Sequence, residues 1–146
     1  MYISCWIARH RERLMETLYL TADYDCLAPD GSEIRLLVKN SRGSCVHCTL
    51  PARGLSAPVA HRYVEEIWYC LEGTGQVWRL GDKGDDIVEV RPGISLTIPA
   101  ETPFQFRNAG EKSLCFLITT MPPWPGEKEA YHVEGYWYLN PEQDGR

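Results

Sequence analysis

Histidine is scarce in this chain, with four in 146 residues, so each imidazole is worth placing. The run from His61 to Glu66 gathers an imidazole, a phenol (Tyr63) and two carboxyls (Glu65, Glu66), groups able to bind a divalent metal or pass protons. In an extended strand Glu65 and Glu66 point to opposite faces, so only one can serve a site, and Glu65 reads as a solvated surface carboxylate. His47 alternates in phase with Cys45 and Thr49, and out of phase with Val46, Cys48 and Leu50. Cys45 and Cys48 form a C-x-x-C, but no second pair completes a four-thiolate zinc site; both read as core packing, aimed at opposite faces. Gln105 and Arg107 alternate with Phe104 and Phe106, so one pair faces a core and the other does not. Ser56, Ser95 and Thr97 lack the elbow or glycine-rich context of a nucleophile, and phosphate-loop and dinucleotide fingerprints are absent.

The elements that must position these groups are short. From residue 34 onward, runs of β-formers end in Gly, Pro, Asn or Asp. Strands are expected near 34–38, 44–50, 66–71, 74–80, 86–91, 94–98, 104–108 and 114–120, with Gly73-Thr74-Gly75 as a hairpin turn whose glycines supply positive φ. That many strands, with turn signals roughly every eight to twelve residues and no helix between them, mean a sandwich or barrel. Residues 9–20 carry a short amphipathic pattern through Leu14, Leu18, Met15 and Tyr19, with a strand as the alternative. The tail 121–146 begins Met121-Pro122-Pro123-Trp124-Pro125-Gly126, which cannot be a central strand because proline removes ladder donors. It is expected to wrap the barrel, pinned by Trp124, Tyr136, Trp137 and Tyr138.

Composition sets the class. At 44% hydrophobic and 24% charged, the chain is globular, and its length suits one core. Fifteen basic against twenty acidic residues leave a net charge of −5, which argues against nucleic-acid or anionic-membrane partners and toward a small-molecule ligand. The N-terminus is apolar first and basic afterwards, the reverse of a signal peptide, and Met15 begins a plausible chain of its own, so residues 1–14 read as an upstream extension. No stretch is apolar enough to span a bilayer as a helix. Six cysteines without a secretory signal read as reduced, packed thiols in a cytoplasmic protein.

The stretch Gly54–Gly75, GLSAPVAHRYVEEIWYCLEGTG, resembles the first sequence motif of the cupin superfamily, with Gly54, His61, Glu66 and Gly73 in the motif's places. The second cupin motif is a glycine, then Pro-x-Gly, a histidine and an asparagine, and its spacing is met from Gly93 to Asn108. Gly93, Pro99 and Asn108 match; Glu101 stands for the glycine and Phe104 for the histidine. The runs DGSEIRLLV, HCTLP, SLTIP, FQFRN and TMPPWPGEKEA are similar to small bacterial single-domain cupins of unassigned function, in which a histidine is expected where this chain has Pro103. The resemblance implies an all-β, jelly-roll barrel over residues 30–120, flanked by an N-terminal extension (1–29) and a wrapping tail (121–146).

It also implies a site. Metal-dependent cupins usually hold a divalent ion (Zn, Fe, Mn or Ni) with three histidines and a glutamate. Here His61 and Glu66 survive, Tyr63 takes the second-histidine place, and Phe104 or Pro103 the third. If the Cys45, His47 and Thr49 face lines the barrel, His47, His61 and Glu66 would form a two-His, one-carboxylate site; the plainer reading puts His47 on the outer face or hydrogen-bonded inside. Two readings therefore stay open. One is a small-molecule-binding cupin with a degenerate, metal-free ligand set, its pocket lined by Trp68, Phe104, Phe106 and Gln105. The other is a metal-dependent lyase, isomerase, cyclase or dioxygenase using His61, Glu66 and Tyr63. A homodimer is expected under either, because pairing protects exposed strands.

Overall fold

Alternation of apolar and polar side chains along β-branched and aromatic runs produces eleven strands and no helix in the computed structural model, which describes residues 15–138. One antiparallel sheet runs β1 (Cys26–Leu27), β2 (Glu33–Lys39), β3 (Ser44–Leu50), β10 (Leu114–Met121), β5 (Glu65–Glu72) and β8 (Ser95–Ile98). The second runs β11 (Ala130–His132), β4 (Val59–His61), β9 (Phe104–Arg107), β6 (Gly75–Gly81) and β7 (Gly84–Val90). The chain passes repeatedly from one sheet to the other, so the two wrap a common core as an all-β jelly roll.

β5 shows how the sequence selects this arrangement. Glu66, Trp68 and Cys70 point into the barrel, whereas Glu65, Ile67 and Tyr69 face outward. Trp68 stands at the centre, 1% exposed. It meets Phe104 and Phe106 edge-on at 5.6 and 5.0 Å, and Phe116 at a tilt at 4.9 Å. Such edge-to-face pairs add to the burial itself; removing a buried aromatic of this size costs about 3–5 kcal/mol.

All eight expected strands have counterparts, with ends that differ by at most two residues and 44–50 matching at both ends. Three were not anticipated: β1, β4 and β11 hold two or three residues each, too few for a period-two pattern to register. The segment expected to carry an amphipathic pattern is irregular over residues 15–20, with Met15 and Tyr19 exposed; its earlier half lies outside the described residues. Gly73 does take positive φ, +77°, but the turn is not a hairpin. β5 and β6 belong to different sheets, and a Cβ on Gly73 would lie 2.3 Å from the Ser113 carbonyl oxygen, so the glycine serves a crossover beside β10.

The motif asparagine and glycine have structural explanations. The Asn108 amide donates to the carbonyls of Leu50, Pro51 and Lys112 at 3.0, 3.2 and 2.7 Å, tying the loop after β3 to the loop between β9 and β10. Glu101, standing where cupins carry glycine, has φ of +62°, the left-handed conformation that explains why glycine suits the position. Its N–H donates to the His61 carbonyl at 2.6 Å, joining the second motif to the first.

Cysteines divide into two groups. Cys45, Cys48, Cys70 and Cys115 are free thiols, but Cys26 is disulfide-bonded, which corrects the expectation that all six are reduced; its partner lies outside the described residues. Cys48 is core at 1% exposure, while Cys45 points to the outer face and is only partly buried. Among the described residues no helix is long and apolar enough to cross a membrane.

Candidate functional site

One end of the barrel holds a small cavity of about 40 Å³, lined by residues of both sheets, the segment before β2 and the tail. β4 ends on His61 and β5 opens its inward row with Glu66. The two side chains meet because β4 crosses the barrel opposite β5 and a short turn, Arg62 to Val64, links them. Backbone N–H groups of Tyr63 and Val64 both donate to the Glu129 carboxylate at 2.6 Å, which fixes that turn.

His61 is 4% exposed and its Nδ1 has no hydrogen-bond partner. That atom lies 3.7 Å from Glu66 Oε1, within ion-pair range but too long for a hydrogen bond. Glu66 Oε1 accepts instead from the Trp68 indole N–H at 3.2 Å. Burial pushes the Glu66 carboxyl up to about 8, against a partial opposing effect of the Trp68 bond and a further push from Asp30. Burial alone pulls His61 down to about 4. Despite the ion-pair distance, the pair is therefore a carboxylic acid facing a neutral imidazole at neutral pH. Charging either group would require desolvation that a contact of this length does not offset.

A second carboxyl joins the cavity. Asp30, from the segment before β2, accepts from the Ser32 N–H at 2.9 Å and the Ser32 hydroxyl at 2.6 Å, and burial raises its pKa. Cys48, Thr120 and Trp124 complete the polar and aromatic lining beside Ile34, Val46, Val59, Phe104 and Ile118. Trp124 stands edge-on to His61 at 4.9 Å and Phe104 does so at 5.3 Å. Sequence reasoning missed Asp30, Ser32 and Thr120 as pocket residues. Asp30 reads locally as part of an Asp-Gly-Ser turn, and only the packing of that turn under the barrel end reveals its role.

Several expected site residues lie elsewhere. His47 faces away from the cavity: Val46 and Cys48 line it, so strand alternation sends His47 to the outer side, beside Arg35 on β2 and Leu117 on β10. It cannot complete a ligand set with His61 and Glu66. Tyr63 is 76% exposed and borders a separate open groove with Arg62 and residues 125–129; the Arg62–Val64 turn carries its phenol away from the barrel. Gln105 is buried on the outer face of β9, where its side chain bonds Ser56 and the tail at Tyr136 and Trp137, so it holds the tail and not a ligand. Trp68 and Phe106 pack into the sealed core and do not line the cavity, whereas Phe104 does both.

A family model described as the cupin domain matches residues 46–120, which spans the strands that carry His61, Glu66 and Phe104. The chain belongs to the cupin family. It is similar to an uncharacterized protein of Methanocaldococcus jannaschii, 31% identical over 117 residues that cover 74% of this chain and 90% of that one. Among solved structures it is similar to an uncharacterized Klebsiella pneumoniae protein with a double-stranded beta-helix domain. There the TM-score is 0.59 and the identity 12%, over 75% of this cupin and 91% of that chain. It also resembles the oxalate decarboxylase of Lactobacillus farciminis, with TM-score 0.60 and 15% identity, over 70% of this cupin and 31% of that chain. Enzymes therefore stand among the proteins that share its fold.

The metal commonly held by cupins can be tested against the donors present. Among the described residues no group of three or more His, Cys, Asp or Glu side chains converges on a point that could hold an ion. Phe104 fills the third-histidine position with a hydrocarbon ring, Tyr63 points outward, and one Asp30 oxygen already accepts two bonds from Ser32. The remaining donors, His61, Glu66 and the Cys48 thiol, are each held neutral by burial and do not fit a tightly bound divalent ion.

Proposed function

We propose that this cupin binds a small polar molecule in the barrel-end cavity without a resident metal, and that Glu66 and His61 exchange hydrogen bonds or a proton with it. The observation that carries this reading is the buried, unpartnered Nδ1 of His61 facing the Glu66 carboxyl at 3.7 Å across the cavity wall. Buried polar atoms are nearly always satisfied, so an orphaned ring nitrogen at a cavity is where a ligand completes the bonding. With its carboxyl held to about 8, Glu66 keeps its proton at neutral pH and serves as a donor or general acid. Neutral His61 supplies an acceptor. The size of the cavity restricts what enters to a group of a few heavy atoms.

Elemental analysis by plasma mass spectrometry on protein purified without chelators tests the reading, with His61→Ala and Glu66→Ala beside the wild type. Metal well below stoichiometric in all three is the expected result. Near-stoichiometric metal that disappears in both variants would overturn it and point to a rebuilt metal centre.

A further inference from the structure

The hydrogen-bonding balance of the cavity narrows the class of ligand; this rests on the reading that the cavity binds a small molecule. No lysine or arginine is among its described lining residues, so the Asp30 and Glu66 carboxyls have no cationic side chain beside them. A carboxyl taken out of water without a counter-charge keeps its proton, and burial raises the pKa of both. The same burial holds His61 neutral. Glu66 and His61 are thus uncharged at neutral pH. Neither an ammonium nor a carboxylate placed between them would find a partner charge to offset its own loss of water.

Most polar atoms of the lining are already used. Asp30 Oδ1 takes both donors of Ser32, the Thr120 hydroxyl is paired with that of Ser44, and Glu66 Oε1 accepts from the Trp68 indole. His61 is different: it lines the cavity at 4% exposure and leaves Nδ1 unpartnered, 3.7 Å from Glu66 Oε1. A ring nitrogen without its proton accepts, and a protonated carboxyl donates. The group that serves both through one atom must give one hydrogen bond and take another. A single oxygen about 2.8 Å from each partner spans a gap of this length. A carbonyl or nitrile only accepts and leaves Nδ1 open, and an ammonium only donates.

We propose that the cavity recognises an uncharged hydroxyl group on a small molecule, its O–H donating to His61 Nδ1 and its oxygen accepting from the Glu66 carboxyl. A cavity of about 40 Å³ has room for roughly three water-sized groups, so the hydroxyl enters with a short carbon attachment. Ile34, Val46 and Ile118 line the same space and receive that carbon.

The test uses the full chain, labelled with nitrogen-15, and probes of like size. Ethanol gives and takes hydrogen bonds, acetonitrile only takes them, and ethylammonium chloride and sodium acetate are charged, with sodium chloride at matched ionic strength as the control. Binding is read from amide shifts and from the His61 ring nitrogens. Saturable shifts around the cavity and at the His61 ring are expected with ethanol, and affinity about tenfold weaker or worse for every other probe. Glu66→Met should weaken ethanol by a similar factor, and Glu66→Gln, which restores an N–H donor at the same place, should recover most of it. The comparison of probes in the wild type decides the proposal even if a variant does not fold. Acetonitrile, ethylammonium or acetate binding as tightly as ethanol at this cavity would overturn the hydroxyl and leave the small-molecule reading standing. Ethanol binding unchanged in folded Glu66→Met would also overturn it. So would the absence of any shift at His61, which would mean that the cavity admits water alone, while the metal analysis above judges the underlying reading separately.

Discussion

At the scale of residues, the cavity stores an electrostatic cost that pH can read out. Glu66 is raised from 4.5 to about 8 on folding. A group whose folded pKa is raised contributes stability that is complete below the unfolded value and is lost as pH climbs to the folded one, so Glu66 favours the folded state below about 4.5 and penalises it progressively toward 8. His61 moves the other way, from 6.5 to about 4; its contribution is intact above 6.5 and lost as pH falls toward 4. The two opposed slopes place this site's best stability in the mildly acidic range. Glu66→Gln removes the alkaline slope, and denaturant titrations from pH 5 to pH 9 are expected to show the variant gaining on the wild type by the order of a few kcal/mol. Parallel pH profiles for the two proteins would show that Glu66 ionises normally in the folded state.

At the scale of elements, the tail is secured by one buried amide. Gln105 on β9 accepts from the Tyr136 and Trp137 N–H groups at 3.0 and 2.9 Å, and donates to the Trp137 and Ser56 carbonyls at 3.0 Å each. Arg107, next on the same face, lies over the Trp137 ring at 4.5 Å, and β11 adds a short ladder to β4. Because Gln105 carries four bonds in a dry position, Gln105→Ala leaves several backbone groups unsatisfied, at about 1–3 kcal/mol each before relaxation. We expect it to free the tail around residues 133–138 without unfolding the barrel. Hydrogen exchange should show lost protection at Tyr136 and Trp137 with β5 and β10 unchanged; a uniform loss across the barrel would contradict a local role. Gln105 was expected in the ligand pocket because alternation leaves open which face is inward, and the tail that covers the other face has no local signature in the sequence.

At the scale of the whole molecule, the six-stranded sheet turns an apolar row outward: Ile67, Tyr69 and Leu71 on β5 are 47%, 45% and 38% exposed. We propose that the expected homodimer, if it forms, uses this face, where a second copy would cover the row next to edge strand β8. Light scattering should then give twice the 16.7 kDa chain mass, with Ile67→Lys plus Tyr69→Lys returning the protein to a monomer. A wild type that is monomeric at high micromolar concentration would remove the dimer. Much of the architecture was legible before any coordinates. Alternating runs and turn residues mark eight strands because burial on one face of a strand repeats every second residue, and two motif spacings place the barrel and bring His61 and Glu66 forward. The same alternation could not say which face of β3 is inside, so the fate of His47 waited on the pairing of β3 with β2 and β10. Nor could it find Asp30 and Trp124, which reach the cavity from irregular segments flanking the barrel. Local periodicity is written residue by residue and survives in the sequence. Convergence of distant segments on one small cavity depends on how two sheets close over each other, and only the tertiary structure decides that.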